Sequence, residues 1–289
     1  MLPASFVIAA TLVVGFATRS RASGEPARPL PPRVRLAAPA EPPAPPLGPS
    51  RVELEPQDIR PRPDPLRGLS GTELDRLALT KPASLGSVCL GRPNRGRLWN
   101  AVELTSEPGL HVMVNRDNSF GTVATVRSLR AAVADLRAER PSAPDLNVGD
   151  LSRERGGYLR PHRSHQLGLD ADLGYFYRAN AKWYTKATAE NLDRELTWAL
   201  VKSLIAEGGV EYVFMDRSVQ SWLHNYALDQ GEDPAWLEKI FESPAHKDTL
   251  IRHAYGHVTH FHVRFLDPAA ERVGRLLEAR LSPRRRAHR

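Results

Sequence analysis

The sequence predicts an α+β domain, a central and mainly antiparallel sheet flanked by helices, with a long proline-rich segment ahead of it. Three observations carry this. Apolar runs at helical spacing intermix with short β-prone runs without setting up a regular βαβ repeat. Residues 23–66 hold 14 of the chain's 25 prolines and show no periodic apolar pattern. Two histidine clusters lie about ninety residues apart, a spacing that only a folded sheet brings together.

The first element is an unbroken run of apolar and small residues over 6–17, followed by Ser20, Arg21 and Ala22 with small residues where a signal peptidase reads. It is short for a bilayer span. Residues 1–22 therefore read as a signal peptide, with an uncleaved membrane anchor or a misplaced start as the alternatives. No Lys or Arg precedes the run, and Arg19 and Arg21 follow it. The first two readings place the domain outside the cytoplasm, in the periplasm or otherwise exported, and confine membrane contact to this segment. Residues 23–80 are expected to be an extended, solvated linker, because such a composition buries too little surface to offset chain ordering. The folded domain is expected over 81–282, with a basic tail at 283–289.

Within that domain, residues 98–104 and 109–114 read as short strands bounded by turn residues. Residues 122–140 carry Val123, Val126, Leu129, Val133 and Leu136 at helical spacing and stop at Pro141. Residues 145–151 look like a strand feeding a polar loop. A second helix is predicted over 185–207, ended by Gly208 and Gly209, then a buried strand over 210–215. Two short helices over 219–229 and 233–241 and a last helix over 268–281 complete the list.

The chain has 289 residues, a formal charge of +7 and a pI near 9.8. That charge suits an anionic surrounding, yet no helix-turn-helix, zinc-finger or RNA-binding pattern accompanies it, so nucleic acid is not the expected partner. An acidic wall polymer or anionic membrane surface fits an exported basic protein better. The single Cys89 excludes an internal disulfide and reads as a small buried hydrophobe.

The chemistry lies in the histidines. Residues 259–265 have strand character, so His260 and His262 project from one face while Phe261 and Val263 face the other way. His257 sits three residues before His260. In the first cluster, His165 and Asp172 are seven apart, which places them together only if His165 lies in a loop, Asp172 lies on a strand over 170–175, and Gly168 turns the backbone between them. By spacing alone Asp170 is nearly as good a ligand as Asp172. Tyr175, Trp183 and Tyr184 suit either a substrate groove or the core. His-Glu-x-x-His and Ser-x-x-Lys motifs are both absent, which removes the common zincin and acyl-serine mechanisms.

Ser164-His165-Gln166-Leu167-Gly168-Leu169-Asp170-Ala171-Asp172, together with His257-x-x-His260-Phe261-His262, resembles the penicillin-insensitive murein endopeptidases, within the zinc peptidase group that includes lysostaphin-type enzymes and D-Ala-D-Ala metallopeptidases. The resemblance covers about residues 85–270. It implies a zinc peptidase domain in which His165, Asp172 and His262 bind Zn2+ and leave a position open for water. His257 and His260 then act around that water and the substrate; beside a metal-bound water His257 reads as the base and His260 as the group on the oxyanion, with the roles exchangeable. His162 lines the site. Apart from the resemblance, Asp170 reads as a support for the loop, accepting hydrogen bonds from backbone or from the ligands. Histidine and aspartate donors favour zinc among divalent ions.

The function so implied is an exported zinc endopeptidase that hydrolyses peptide cross-links of peptidoglycan, at D-alanyl-meso-diaminopimelate bonds. The alternatives are a zinc D,D- or L,D-carboxypeptidase or dipeptidase on wall peptides, and a non-catalytic peptidoglycan-binding module with structural zinc. Oligomeric state is not legible.

Overall fold

The computed structural model describes residues 66–281 with the exception of residue 180. The expected signal segment, the linker up to residue 65 and the basic tail lie outside the described residues. Among those described, no helix is long and apolar enough to cross a membrane.

The folded region begins earlier than residue 81. Helix α1 (Gly71–Thr80) occupies the last part of the expected linker. Its start is fixed by a reciprocal cap: the Glu73 amide donates to Ser70 Oγ at 3.2 Å, and the Ser70 amide donates to Glu73 Oε2 at 2.9 Å. Leu74 packs with Val273 and Leu277 of the C-terminal helix, so the apolar stripe of α1 has a partner. A 3-10 turn over Pro82–Leu85 leads into the hairpin of β1 (Val88–Arg92) and β2 (Arg95–Trp99).

Strand β3 (Val102–Glu103) pairs antiparallel with β5 (Phe120–Gly121). The expected strand over 98–104 is thus two strands, broken at Asn100, whose φ of 52° no continuous strand accommodates. Strand β4 (His111–Met113) opens the main sheet, and α2 (Val123–Glu139) follows, capped by the Thr122 side chain. The sheet is completed by β6 (Leu146–Val148), β7 (Asp170–Gly174), β8 (Val210–Met215), β9 (Ile251–His253) and β10 (His260–Phe265).

Its order is β4-β6-β7-β10-β8-β9. The pairs β6–β7, β7–β10 and β10–β8 are antiparallel, whereas β4–β6 and β8–β9 are parallel. The sheet is therefore mixed, with an antiparallel centre and parallel margins. The remaining helices are α3 (Arg194–Ala206), α4 (Arg217–Asp229), α5 (Pro234–Ile240) and α6 (Pro268–Leu281).

Helix α3 starts nine residues later than the apolar spacing predicts. The Thr188 amide donates to Asn191 Oδ1 and the Asn191 amide to Thr188 Oγ1, which closes a local turn, and Asp193 then caps the helix by accepting from the Leu196 amide.

One face of the sheet is the core. Phe261, Val263 and Phe265 of β10 pack among buried residues of α2, α3 and α4, including Leu129, Leu200 and Leu223. Each buried side chain of this size contributes about 1.5–3 kcal/mol. Because alternate residues face opposite ways, the same burial commits His260, His262 and Arg264 to the other face. Cys89 is buried as expected and its thiol donates to the Leu167 carbonyl at 3.4 Å.

Candidate metal centre

The antiparallel register of β7 and β10 sets Asp172 opposite His262, Asp170 opposite Arg264 and Gly174 opposite His260. Residues two apart share a face, so two carboxylates, two imidazoles and a guanidinium stand together on the side of the sheet away from the core. Both aspartates that spacing alone left equivalent are on this face. They differ in what they meet.

The first cluster arrives on a loop whose backbone turns sharply. Gly168 has φ 70°, and a Cβ there would come within 2.5 Å of Leu98 Cδ2 and 3.1 Å of Gly121, so only glycine fits. His165 itself has φ 64°, an uncommon conformation for a side-chain-bearing residue. Two hydrogen bonds hold it there. Its amide donates to Asp170 Oδ2 at 3.0 Å, and its Nδ1 faces the Leu151 carbonyl at 2.6 Å. With Nδ1 donating, the Nε2 lone pair points into the site.

His262 is oriented in the mirror sense. Its Nε2 lies 2.9 Å from Asp170 Oδ1, which assigns the proton to Nε2 and leaves Nδ1 facing inward. Arg264 Nη1 donates to the same carboxylate at 3.0 and 3.2 Å. Asp170 thus serves His165, His262 and Arg264 from behind.

Three ligand atoms converge in front. His165 Nε2 lies 3.1 Å from His262 Nδ1 and 3.4 Å from Asp172 Oδ1, and His262 Nδ1 lies 3.2 Å from Asp172 Oδ1. A tetrahedral ion with bonds near 2.0–2.1 Å sets its ligands about 3.3 Å apart, so this donor set fits zinc in both chemistry and spacing. A looser triangle of His162, His165 and Asp172 also has ligand atoms within 4.8 Å of one another. The tighter triangle is the better cation site, because His162 Nε2 is already engaged by Asp150 at 2.9 Å and its Nδ1 stands 3.6 Å from Asp172 Oδ2.

The other predicted site residues are here as well. His260 Nε2 is 3.8 Å from Asp172 Oδ1, and its Nδ1 contacts Thr259 Oγ1 at 3.0 Å. The His257 ring lies 5.0 Å from that of His260 and 6.0 Å from that of His262. Its Nδ1 meets the Tyr255 carbonyl at 3.0 Å, and its own carbonyl accepts from Tyr175 OH at 2.8 Å. Tyr175 is core, stacked on Phe261. Trp183 and Tyr184 instead line the site, with rings 6.1 and 5.3 Å from His260.

The electrostatics sort these groups by role. Burial alone would raise Asp172, but the charges and hydrogen bonds of His165 and His262 outweigh it and hold the carboxyl well below its ordinary range. Asp170 is lowered in the same way, chiefly by His262 against burial. Burial would lower His262, yet its two aspartate partners raise it to about 9. Burial wins at the other pair: it lowers His260 to about 4 and also lowers His257, so both imidazoles are neutral near pH 7.

Residues that the sequence reading did not single out complete the arrangement. Asp150 receives His162, Asn115 Nδ2 at 3.0 Å and Asn118 Nδ2 at 2.9 Å, while its carbonyl accepts from the Asp172 amide. Arg264 lies two residues beyond His262 on the same strand face, and that spacing was a usable signal. Asp150 reaches the site through pairing between strands and left none.

The sequence profile described as penicillin-insensitive murein endopeptidase matches residues 89–275, well over half of the chain and all of the histidine and aspartate positions above. The chain belongs to this family. A penicillin-insensitive murein endopeptidase of Haemophilus influenzae (strain ATCC 51907 / DSM 11121 / KW20 / Rd) is 29% identical over 175 residues, which is 55% of this chain and 55% of the relative. The chain therefore spans about half the length of that murein endopeptidase. The matched family region begins at Cys89, so α1 and the hairpin's first residue lie outside it.

Proposed function

We propose that this domain is a zinc-dependent peptidase that hydrolyses peptide cross-links in peptidoglycan, at the D-alanyl-meso-diaminopimelate bond, outside the cytoplasm. His165, Asp172 and His262 hold the ion in this reading. A bound zinc supplies a Lewis acid for the scissile carbonyl and lowers the pKa of water toward neutrality.

The rest falls to the chain's own side chains. His257, kept neutral by burial, accepts a proton from water and returns it to the leaving amine. His260, beside Asp172 and backed by Trp183 and Tyr184, donates toward the developing oxyanion. Asp170 and Leu151 fix the tautomers of His262 and His165, and Asp150 orients His162. The apolar run at residues 6–17 and the location of peptidoglycan support export.

The observation that carries the reading is the triangle of His165 Nε2, Asp172 Oδ1 and His262 Nδ1, all within 3.4 Å, with two neutral imidazoles beside it in a member of this family. The test is chromatography of cross-linked muropeptides incubated with the full chain, with and without zinc, alongside His262→Ala. Conversion of dimers to monomers, dependent on zinc and lost in the variant, is expected. Intact dimers after incubation with zinc-loaded protein overturn the proposal.

A further inference from the structure

Seven arginines gather on two adjoining segments, one of which also carries His162 and His165. Arg92, Arg95 and Arg97 lie on the β1–β2 hairpin, and Arg153, Arg155, Arg160 and Arg163 on the loop that delivers His162 and His165; all seven are exposed. Among the described residues none of them is ion-paired. Elsewhere Arg130, Arg137, Arg140, Arg217, Arg252 and Arg280 each pair with an Asp or Glu, and exposed arginines without an ion pair, such as Arg76, Arg116, Arg127 and Arg178, stand scattered; what marks this surface is seven on two adjoining segments. Unneutralised like charges repel, so their concentration here is a local cost.

The surface is shaped and held. One cleft is lined by Arg95, Arg97, Arg153, Gly156, Gly157 and Tyr158, and a neighbouring one by Arg92, Arg95 and Arg275. Glu271 and Glu278 are the acids on these walls, and Glu154 stands exposed on the loop. The Leu98 amide donates to the Arg155 carbonyl at 3.1 Å, tying strand to loop. Gln166, the residue after His165, accepts from the Gly157 amide with its carbonyl and from the Gly96 amide with Oε1, each at 3.2 Å. A Cβ on Gly156 would come within 2.2 Å of the Gln166 carbonyl, so loop and hairpin are closely seated. Backbone continuous with a proposed metal ligand thus forms the wall of the basic cleft.

We propose that this arginine surface binds free carboxylates of the peptidoglycan strand whose cross-links the metal centre cuts, holding the polymer beside the centre. The inference rests on the function proposed above. Guanidinium groups match carboxylates in forked geometry, and peptide stems that are not being cut offer carboxylates along a polymer. Tyr158, 65% exposed within the cleft, presents an aromatic face with a polar tip of the kind that packs on a sugar ring. The loop that supplies Arg153, Gly156, Gly157 and Tyr158 to the cleft goes on to carry Arg160, His162 and Arg163.

The test compares the full-length chain with an Arg95→Ala, Arg97→Ala, Arg153→Ala triple variant in two assays. Co-sedimentation with purified sacculi reads docking, and zinc-loaded turnover of soluble muropeptide dimers reads chemistry. The variant is expected to lose about tenfold in sacculus affinity, as three exposed ion pairs allow, and to show a shallower salt dependence, with dimer turnover unchanged. A triple Arg→Lys variant keeps the charge and retains salt-dependent binding, which controls for folding. Sacculus binding by the alanine variant equal to wild type overturns the proposal. So does arginine-dependent binding to phosphatidylglycerol vesicles with sacculus binding unchanged. Wild-type protein that cuts no dimers yet binds sacculi through these arginines overturns the proposed chemistry and upholds the docking surface.

Discussion

Arg264 stands opposite Asp170 in the β7–β10 register, and its Nη1 lies 3.0 Å from the same carboxylate oxygen that His262 Nε2 meets at 2.9 Å. Both partners are buried. Removing one member of such a pair strands the other charge in the interior. Asp170→Ala is therefore expected to lower stability by about 3–5 kcal/mol, measured by urea unfolding. Asp170→Asn keeps an acceptor for His262 and costs less stability, but weakens zinc binding by about 10–100-fold because His262 is no longer held by a charge. Equal zinc affinity for wild type and Asp170→Asn contradicts the supporting role.

Zinc titration separates the converging ligands from their neighbours. Ions that bind only the folded protein stabilise it in proportion to the logarithm of their concentration above Kd. Zinc is expected to raise the melting temperature of the wild type, and to do so far less for His165→Ala, Asp172→Ala and His262→Ala. His162→Ala should keep most of the shift, since its Nε2 already belongs to Asp150. A His162→Ala protein that no longer responds to zinc, beside a responsive His262→Ala, assigns the ion to the looser triangle instead.

What the sequence disclosed follows from which interactions are local. The alternation His260-Phe261-His262-Val263 predicts which face of β10 is buried, because the apolar positions define the core side without reference to anything else. Helices α2 and α6 are legible from periodicity with clean ends. Helix α3 is not, since Leu192 continues the spacing ahead of Leu196 while Thr188 and Asn191 bond to each other's backbone and withdraw those residues from the helix. Helix α1 was hidden by its proline-rich neighbourhood, although Ser70-x-x-Glu73 is a capping signature in plain view. The choice between Asp170 and Asp172 depends on the position of His262 across the strand pair, and Asp150 depends on pairing with β7. Neither relation is written in local spacing.

Acid sensitivity should follow the two neutral imidazoles. Burial lowers His260 to about 4 and lowers His257, so the protonated forms appear only below the ordinary histidine range. A bound cation pushes both in the same direction. Activity that requires neutral His257 and a position-holding His260 therefore persists as pH falls past 6.5 and declines only below the ordinary histidine range, with His260 itself protonating at about 4. The pH profile of kcat/KM for dimer cleavage, at saturating zinc, measures this. An acidic limb centred at 6.5 shows instead that the working base has an unperturbed imidazole.

Gly149 offers a steric probe of the substrate wall. Its φ is outside the left-handed region, so the backbone accepts alanine, but a Cβ there would come within 2.4 Å of the Trp183 ring and 3.3 Å of Asp172 Cβ. The rigid neighbour is Asp172, fixed in β7 with its carbonyl accepting from the Gly149 amide at 2.8 Å. Trp183 must therefore move, and with it the rings of Tyr184 at 5.1 Å and His260 at 6.1 Å. Gly149→Ala is expected to cost about 1–3 kcal/mol of stability by overpacking. It should also lower turnover of dimers with zinc affinity nearly intact. Adding Trp183→Ala removes the clash, so the double variant should be more stable than the sum of the two single changes implies. A purely additive pair shows that Trp183 does not pack over Gly149, and any loss of turnover in Gly149→Ala then has to be traced through Asp172.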